Sequence, residues 1–284
     1  MATIRVNPRN VNTEAKKARS GDTLLFTEGD YRDVRVDLVR ERIRITAEDD
    51  VTLHNRSIID ISAPNCVVEK LEFENGGRVN AQIRSLNNVS RQARNAIIRN
   101  LTFRNYEGHA KRITAGSQMM HNWIDLNVLI EDITLENIEG KSNTGRPGGE
   151  LISVKAGATK LINCVAINCQ GRFSFRQGMG NVAYQCKTQN TPASFRGRAG
   201  MQVYGFHHSV IDYTMDDNAN LRIGDGDVNS REELRKGQNH WPASDLTVTG
   251  AEGGQIVFQR RYRKYRPERV HLYDNDSRLV DEWD

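Results

Sequence analysis

Residues 97–105, I-I-R-N-L-T-F-R-N, are one of six copies of a nine-residue pattern in this chain. The clearest other copies are V-V-E-K-L-E-F-E-N at 67–75, L-I-E-D-I-T-L-E-N at 129–137 and L-I-N-C-V-A-I-N-C at 161–169. Two weaker copies follow, and successive copies start 21 to 32 residues apart. A repeat of this length is typical of a solenoid, in which each unit stacks on its neighbours.

Within each copy the apolar residues occupy positions one, two, five and seven. The alternation that ends the copy, as in Leu101-Thr102-Phe103, indicates a strand, because a helix would place apolar residues three and four apart. We expect the first two apolar residues to end one strand and the polar pair after them to turn the chain. Stacked copies can face their apolar residues into one interior. The sequence therefore predicts an all-β, single-stranded right-handed parallel β-helix of about ten coils.

An asparagine ends several of the copies, including Asn75, Asn105 and Asn137. Asparagine tolerates left-handed backbone at turns, and stacked amides can form a hydrogen-bonded ladder between coils. We therefore expect these residues either to adopt left-handed backbone at a turn or to form an amide ladder between coils.

A single domain is predicted for residues 1–284, since no change in composition and no linker divides the chain. Residues 1–22 are expected to cap the first coil with a short helix over Thr13–Arg19, which Thr13 would begin as its N-cap. Residues 23–259 would form the coils, and residues 260–284 a basic and then acidic tail.

The tail begins R-R-Y-R-K-Y-R at 260–266, a mixture of basic and aromatic residues that can suit nucleic acid. Acidic residues follow at 274–276 and 281–284. This order favours a solvated segment, neutralised by its own acidic end or packed on a partner, over a nucleic-acid surface. The partners expected are an acidic polysaccharide and, as alternatives, a second copy of the chain or a virion assembly.

The first thirty residues hold no apolar run long enough for a signal peptide, and no run approaches the roughly 20 apolar residues of a membrane span. We therefore expect a protein that is cytoplasmic as synthesised, with virion association or release by lysis as alternatives, and no membrane partner. Without an export signal, the four cysteines are predicted to be reduced core residues. They are Cys66, Cys164, Cys169 and Cys186.

Two basic residues end similar apolar runs in the middle of the chain, Lys155 in G-E-L-I-S-V-K-A-G (149–157) and Arg176 in G-R-F-S-F-R-Q-G (171–178). Arg176 follows Lys155 by 21 residues, which is about one coil. Neighbouring strands lie about 4.8 Å apart. We therefore expect the two side chains to project side by side and exposed on one outer face.

These two stretches resemble the active-site coils of polysaccharide lyase family 6, which contains alginate lyases and chondroitinase B and has a parallel β-helix fold. Glu150, Lys155 and Arg176 stand at that family's spacings for a glutamate, a lysine and an arginine. The resemblance is sharp over 148–190 and looser over 60–225. It implies β-elimination on a uronate-containing polysaccharide of the alginate or chondroitin/dermatan type, with Lys155 as base and Arg176 as acid or electrostatic stabiliser.

The family's calcium site is matched only in part. The family holds calcium with an asparagine one coil upstream and two glutamates, of which only Glu150 is present here. Gly148 stands in place of the second glutamate, residues 116–118 stand near the asparagine's place, and Gln177 replaces the histidine of the family's R-H-G motif. Calcium needs six to eight oxygen ligands. The expectation is therefore either that no cofactor is required or that calcium binds through Glu150 as a metal ligand.

Five residues near the pair are predicted to bind substrate. They are Arg172, Gln177, Arg196, Arg198 and Tyr204, and one of the three arginines could supply the positive charge that calcium supplies in the family. The loops at 140–149 and 191–200 would form the walls of a groove. His207 and His208 are expected at a turn after Gly205 rather than in that groove.

Two other functional classes remain open from the sequence. A β-helical glycoside hydrolase would need paired carboxylates, for which Asp225 with Asp227, or Asp216 with Asp217, are the candidates. A non-catalytic β-helical virion tail, decoration or carbohydrate-binding protein would need no such pair. A lyase forms a C4–C5 double bond that absorbs in the ultraviolet, a hydrolase forms reducing ends without it, and a structural protein does neither.

Overall fold

A computed structural model describes residues 1–49, 51–116, 124–142, 145, 148–176, 178–224, 243–258, 267–275 and 278–283 of the chain. These residues form a parallel β-helix, as the repeats predicted. All pairings between the described strands are parallel, except that of the last two.

The elements in the first half are β1 (Thr3–Val6), α1 (Val11–Lys17), β2 (Thr23–Phe26), β3 (Gly29–Arg32), β4 (Arg35–Leu38), β5 (Arg44–Ala47), β6 (Val51–His54), β7 (Ile58–Ile61), β8 (Val67–Glu74), β9 (Arg78–Ala81), β10 (Ile97–His109), β11 (Ile113–Ala115) and β12 (Leu129–Lys141). Those in the second half are β13 (Gly149–Val154), β14 (Lys160–Ile162), β15 (Val165–Ile167), β16 (Gly171–Phe175), β17 (Val182–Tyr184), β18 (Lys187–Gln189), β19 (Ala199–Val203), β20 (Ser209–Ile211), β21 (Thr214–Met215), β22 (Ala219–Ile223), β23 (Ser244–Thr249), β24 (Gln255–Phe258), β25 (Glu268–Tyr273) and β26 (Leu279–Trp283). Short 3₁₀ helices span Val89–Arg91 and Ala193–Phe195.

The strands form two sheets. One strand from each of nine coils builds a nine-stranded parallel sheet in the order β4-β7-β9-β11-β13-β16-β19-β22-β24, which we call the groove sheet. The other strands form a 17-stranded sheet around the remaining sides. The groove sheet matters for function because it carries both sequence stretches that hold Lys155 and Arg176.

The core is a stack of equivalent side chains from successive coils. Phe73 pairs in register with Phe103, their rings are stacked with centroids 4.6 Å apart, and Phe103 pairs in turn with Leu135. Positions two, five and seven are buried in this way in the other copies. The copy at 161–169 lies one residue out of register, since Leu161 pairs with Ile130, and its buried residues are Leu161, Cys164 and Ala166. Position one was expected in the interior as well, but Ile97 and its equivalents are only half-buried. Position two points inwards, so the strand alternation turns position one outwards, and the left-handed residue that turns the chain comes three positions after it, as at Asn100.

The turns follow the asparagine pattern. Asn105 and Asn137 have positive φ angles of 53°, and Asn168 has one of 51°. The amide of Asn137 donates to Asn105 Oδ1 at 2.9 Å, and that of Asn168 donates to Asn137 Oδ1 at 2.7 Å. The left-handed turn and the amide ladder that the sequence offered as alternatives therefore occur together, and they keep the coils in register.

Both ends of the helix differ from the sequence prediction in detail. Helix α1 begins at Val11 rather than Thr13, with Asn10 as its N-cap, because Val11 and Ala15 are the apolar pair that packs on the first coil. The segment predicted as a tail contains β25, which continues the large sheet, and β26, which pairs antiparallel with it. Val270 and Leu272 are buried at alternate positions, as in the strands of the coils, and this explains why β25 joins them. The basic run at 260–266 lies outside the described residues.

The four cysteines are free and buried, as predicted. Among the described residues, no helix is both long enough and apolar enough to cross a membrane.

Candidate active site

A β-bulge in β13 brings Glu150 to the outer face of the groove sheet. Glu150 pairs with Arg172 and Ile152 pairs with Phe173, so Leu151 is the extra residue. Strict alternation would place Glu150 on the same side as buried Ile152 and Val154. The bulge reverses this, and Ser153 Oγ donates to Glu150 Oε2 at 2.7 Å. Glu150 can therefore lie beside Lys155, although the two residues are five positions apart and strict alternation would place them on opposite faces.

Lys155 and Arg176 occupy neighbouring coils at the same position. Val154 and Phe175 are in-register partners, and each basic residue directly follows its partner in the sequence. The backbone continues the pairing, since Arg176 N–H donates to the Val154 carbonyl at 2.8 Å. The juxtaposition expected from the 21-residue spacing is therefore present.

The expected exposure of the pair is wrong. Lys155 is only 5% exposed, and the side chain of Arg176 is 18% exposed. Both lie in a partly closed site whose inner surface includes the fully buried Ser153 and Ser174. A solvated basic edge is therefore excluded as the explanation of these two residues.

Glu150 is the centre of the charged cluster. Its Oε1 lies 3.1 Å from Arg176 Nη1, and its Oε2 lies 3.3 Å from Lys111 Nζ. Burial alone would raise the pKa of the Glu150 carboxyl, but Arg176, Lys111 and the Ser153 hydroxyl outweigh burial and lower this pKa to about 2. Glu150 is therefore a carboxylate at all physiological pH values and holds two cations at fixed positions.

The environment of Lys155 favours its neutral amine. Burial is the main cause, the ammonium group of Lys111 is the next, and together they lower the pKa of Lys155 to about 7 although Glu150 opposes them. An amine with this pKa is partly deprotonated in neutral solution and can accept a proton. The site therefore combines a lysine that can act as a base with two cations held on one carboxylate.

Lys111 was missed by the sequence analysis. It lies two residues before β11, whose Ile113 pairs with Ile152 of β13. Counting back two residues from each member of that pair places Lys111 beside Glu150. An alignment of I-T-A at 113–115 with I-S-V at 152–154 would have placed Lys111 in the site. A run of three residues is too short to indicate that alignment by itself.

The cluster does not fit calcium. The one carboxylate that the family pattern retains is already bound by Lys111, Arg176 and Ser153. In the described part of the chain, no three His, Cys, Asp or Glu residues are grouped as metal ligands. A calcium ion would have to displace Lys111 and Arg176 from Glu150 in order to bind. No step is therefore assigned to a metal.

The predicted substrate-binding residues lie at different places around this cluster. Arg172 lies in register with Glu150, with its side chain half-buried and its Nε atom buried. Arg196 and Arg198 are exposed on the loop after the 3₁₀ helix Ala193–Phe195. A Cβ atom at Gly148 would lie 3.1 Å from Arg198 Cβ, so the two loops predicted as groove walls meet on one side. Gln177 lies outside the described residues.

Tyr204 occupies the position equivalent to that of Arg176 in the next coil, as expected, since Phe175 pairs with Val203. It is only 3% exposed, and a Cβ atom at Gly224 would lie 1.8 Å from its ring, so the ring packs over that glycine. Tyr204 forms part of the floor beyond Arg176 rather than an exposed binding residue.

The remaining candidates have structural surroundings. His207 has a positive φ of 55° at the turn after Gly205, and buried His208 bonds to Asn181 N–H and the Tyr204 carbonyl. Burial lowers the pKa of His208 to about 4. Asp216 accepts backbone N–H groups of Thr191, Asn218 and Ala219. The Asp216/Asp217 pair of a hydrolase is therefore disfavoured, and Asp225 and Asp227 lie outside the described residues.

Comparison with known proteins supports the fold. No protein-family model matches this chain, and no curated protein matches it in sequence. Among solved structures, a mannuronic-acid-specific family 6 polysaccharide lyase from human gut microbiota aligns with a TM-score of 0.56 and 13% identity, over 96% of this chain and 80% of that one. The family 6 alginate lyase AlyGC aligns at 0.52 and 15% identity, over 95% of this chain and 47% of that one.

A further family 6 alginate lyase, solved with a trisaccharide, aligns with a TM-score of 0.50 and 13% identity, over 97% of this chain and 80% of that one. The described residues thus share their parallel β-helix with polysaccharide lyases, while this chain spans about half the length of AlyGC. At these identities the likeness concerns the fold, and the function has to be argued from the site.

Proposed function

We propose that this protein is a polysaccharide lyase that cleaves a uronate-containing acidic polysaccharide by β-elimination, with Lys155 as the base. The observation that carries the proposal is the buried cluster in which Lys111 and Arg176 flank one carboxylate, Glu150, beside a lysine whose pKa is lowered to about 7. The shared fold with family 6 lyases and the match of Glu150, Lys155 and Arg176 to that family's spacings support the same conclusion.

In the proposed reaction Lys155 Nζ takes the proton from C5 of the uronate. The electron pair of that C–H bond forms the C4–C5 double bond, and the C4–O bond breaks as the glycosidic oxygen leaves. That oxygen then takes the proton back from the Lys155 ammonium group, directly or relayed through a water molecule, which returns Lys155 to its neutral form. The number of protons and electrons is thus conserved without any other reactant.

The C5 proton is acidic enough only if the adjacent carboxylate is neutralised. Lys111, Arg176 and Glu150 together carry a net charge of +1, and the neutral amine of Lys155 leaves this unchanged. We assign the neutralisation to Lys111 and Arg176, because Glu150 holds both at fixed positions before substrate binds. Arginine stays protonated at neutral pH, so Arg176 acts by stabilising negative charge rather than by donating a proton.

Lys111 has a second role in this proposal. Its ammonium group lies against that of Lys155 and helps to lower the pKa of Lys155. A neighbouring cation is a known way of activating a lysine, because it destabilises the charged form. The same residue would therefore both activate the base and help to neutralise the substrate.

The test is an assay of purified protein against a panel of alginate, chondroitin, dermatan and polygalacturonate, with ultraviolet absorbance and reducing ends measured in parallel. We expect absorbance and reducing ends to increase together on at least one polyuronate, and to persist with a chelator, because side chains supply the positive charge. Reducing ends without absorbance would indicate a hydrolase and contradict the proposal. Binding without either product would indicate a non-catalytic carbohydrate-binding protein, and loss of activity with chelator would contradict the assigned role of Lys111.

A further inference from the structure

Two arginines of the groove sheet converge on one backbone carbonyl beyond the cluster. Arg172 lies on β16 and Arg222 on β22, and β19 lies between them. An Nη2 of each donates to the carbonyl of Gly197, that of Arg222 at 2.9 Å. Gly197 belongs to the loop that follows the 3₁₀ helix Ala193–Phe195. The two guanidinium groups therefore lie close together beneath this loop.

Among the described residues neither Arg172 nor Arg222 forms an ion pair with an Asp or Glu side chain, and Glu150 acts on Arg172 only through its electrostatic field. Nε of Arg172 is buried and has no hydrogen-bond partner within the same part of the chain. The Gly197 carbonyl, with Asn220 Oδ1 as acceptor for Arg222 Nε, cannot satisfy two guanidinium groups that offer five N–H donors each.

The lack of a directly bonded carboxylate within the described ranges has an energetic consequence. Burial lowers the pKa of Arg172 to about 10, and the neighbouring Arg222 contributes in the same direction. Buried charges in proteins are normally paired. Two unpaired guanidinium groups side by side thus destabilise the free protein, and this destabilisation would be relieved by an anion.

We propose that Arg172 and Arg222 form a second anion subsite, which binds the carboxylate or sulfate of a sugar unit next to the one that reacts. Guanidinium groups suit such oxyanions because they can donate two parallel hydrogen bonds. The inference rests on the proposed function for the identity of the ligand as an acidic polysaccharide. It adds Arg222, which no family pattern in the sequence pointed to.

The position of the pair fits an extended polymer. Arg172 lies in register with Glu150, in the same coil as Arg176, and Arg222 lies two coils further on. Two coil steps correspond to about 10 Å along the axis. A chain that lies along the groove sheet would present its reacting unit to Lys155 and a later acidic unit to the arginines.

A small cleft of about 210 Å³ continues this path beside Gly197, with Arg196, Asn220 and Asp217 among its lining residues. Asn220 Oδ1 accepts a hydrogen bond from Arg222 Nε at 3.3 Å. Asp217 is the acidic residue of this cleft, and its repulsion of an anion would direct the acidic group towards the arginine pair rather than into the cleft. The neutral hydroxyl groups of a sugar could be accommodated there.

The test measures binding without catalysis, so that it remains informative if no lyase activity is found. In a Lys155→Met background, Arg222→Gln is compared with the unaltered arginine by calorimetric titration with three probes. The probes are an unsulfated polyuronate oligosaccharide, a sulfated uronate-containing oligosaccharide, and a carboxyl-reduced, neutral form of the first. We expect Arg222→Gln to weaken binding of an acidic oligosaccharide about tenfold or more, and less at high salt. Loss with the unsulfated probe identifies a carboxylate, and loss with the sulfated probe alone identifies a sulfate.

The control variant is Arg9→Gln, which removes the same charge from an exposed position in the first coil. It should leave the affinity for every probe unchanged. Equal affinity of Arg222→Gln and the unaltered arginine for both acidic probes would overturn the inference. So would an equal loss of affinity for the neutral probe, because the arginines would then only hold the Gly197 loop in place.

Discussion

Replacing Lys155 by methionine is expected to abolish formation of unsaturated product and to make the protein more stable. The rate should fall by about 10²- to 10⁴-fold, the usual contribution of a general base. The free energy of unfolding should increase by about 2 to 4 kcal/mol at pH 7, because a buried amine with a pKa near 7 is replaced by an apolar side chain of similar length. Product absorbance and denaturant unfolding measure the two effects.

The lowered pKa of Lys155 also determines how the free energy of unfolding should change with pH. The unfolded chain keeps the Lys155 proton up to a pKa near 10.5, whereas the folded chain releases it near 7. Wild-type stability should therefore rise between these values, and the advantage of the methionine variant should shrink over the same range. Lys160→Met, at an exposed position on β14, is the matched control and should change neither quantity. A methionine variant that is less stable than the wild type at pH 7 would contradict the environment assigned to Lys155.

Replacing Glu150 by alanine is expected to cause the largest loss of stability. The carboxylate holds Lys111 and Arg176, and its removal leaves these cations and Lys155 without compensation in a largely buried site. Breaking such a pair typically costs about 3 to 5 kcal/mol. Activity should be lost as well, since the cations that neutralise the substrate are no longer held in place. Denaturant unfolding at pH 7 measures the first effect.

The same carboxylate should make the wild type sensitive to acid. The pKa of Glu150 is lowered to about 2 in the folded chain from 4.5, so its contribution is complete above pH 4.5 and is lost as the pH falls towards 2. Glu150→Ala should lack this part of the acid sensitivity. Glu136→Ala, which removes a half-exposed partner of Arg104 on β12, is the control and should cost less than about 1 kcal/mol. Similar losses of stability in Glu150→Ala and Glu136→Ala would rule out Glu150 as the centre of the cluster.

The sequence was sufficient to predict the fold because a β-helix repeats its physical requirements in every coil. The alternation in copies such as 97–105 and 129–137 determines which residues are buried, and the asparagines mark the turns that join them. The juxtaposition of Lys155 and Arg176 followed from the same regularity, since one coil separates them.

The details of the site depend on departures from that regularity, which the repeat cannot reveal. The bulge at Leu151 decides that Glu150 faces the site, and nothing in G-E-L-I-S-V-K distinguishes a bulged strand from a regular one. The burial of Lys155 depends on distant loops and on Lys111, which the sequence places 44 residues earlier. The convergence of Arg172 and Arg222 depends on three successive coils and the Gly197 loop, and no local pattern encodes it.

The pH dependence of kcat/KM for formation of the unsaturated product tests the central claim most directly, because it reports the protonation state of the base in the free enzyme. With Lys155 as that base, the rate should rise with pH, reach half its maximum near pH 7 and then level off. A rate that rises only near pH 10, or the absence of unsaturated product from every polyuronate, would contradict it.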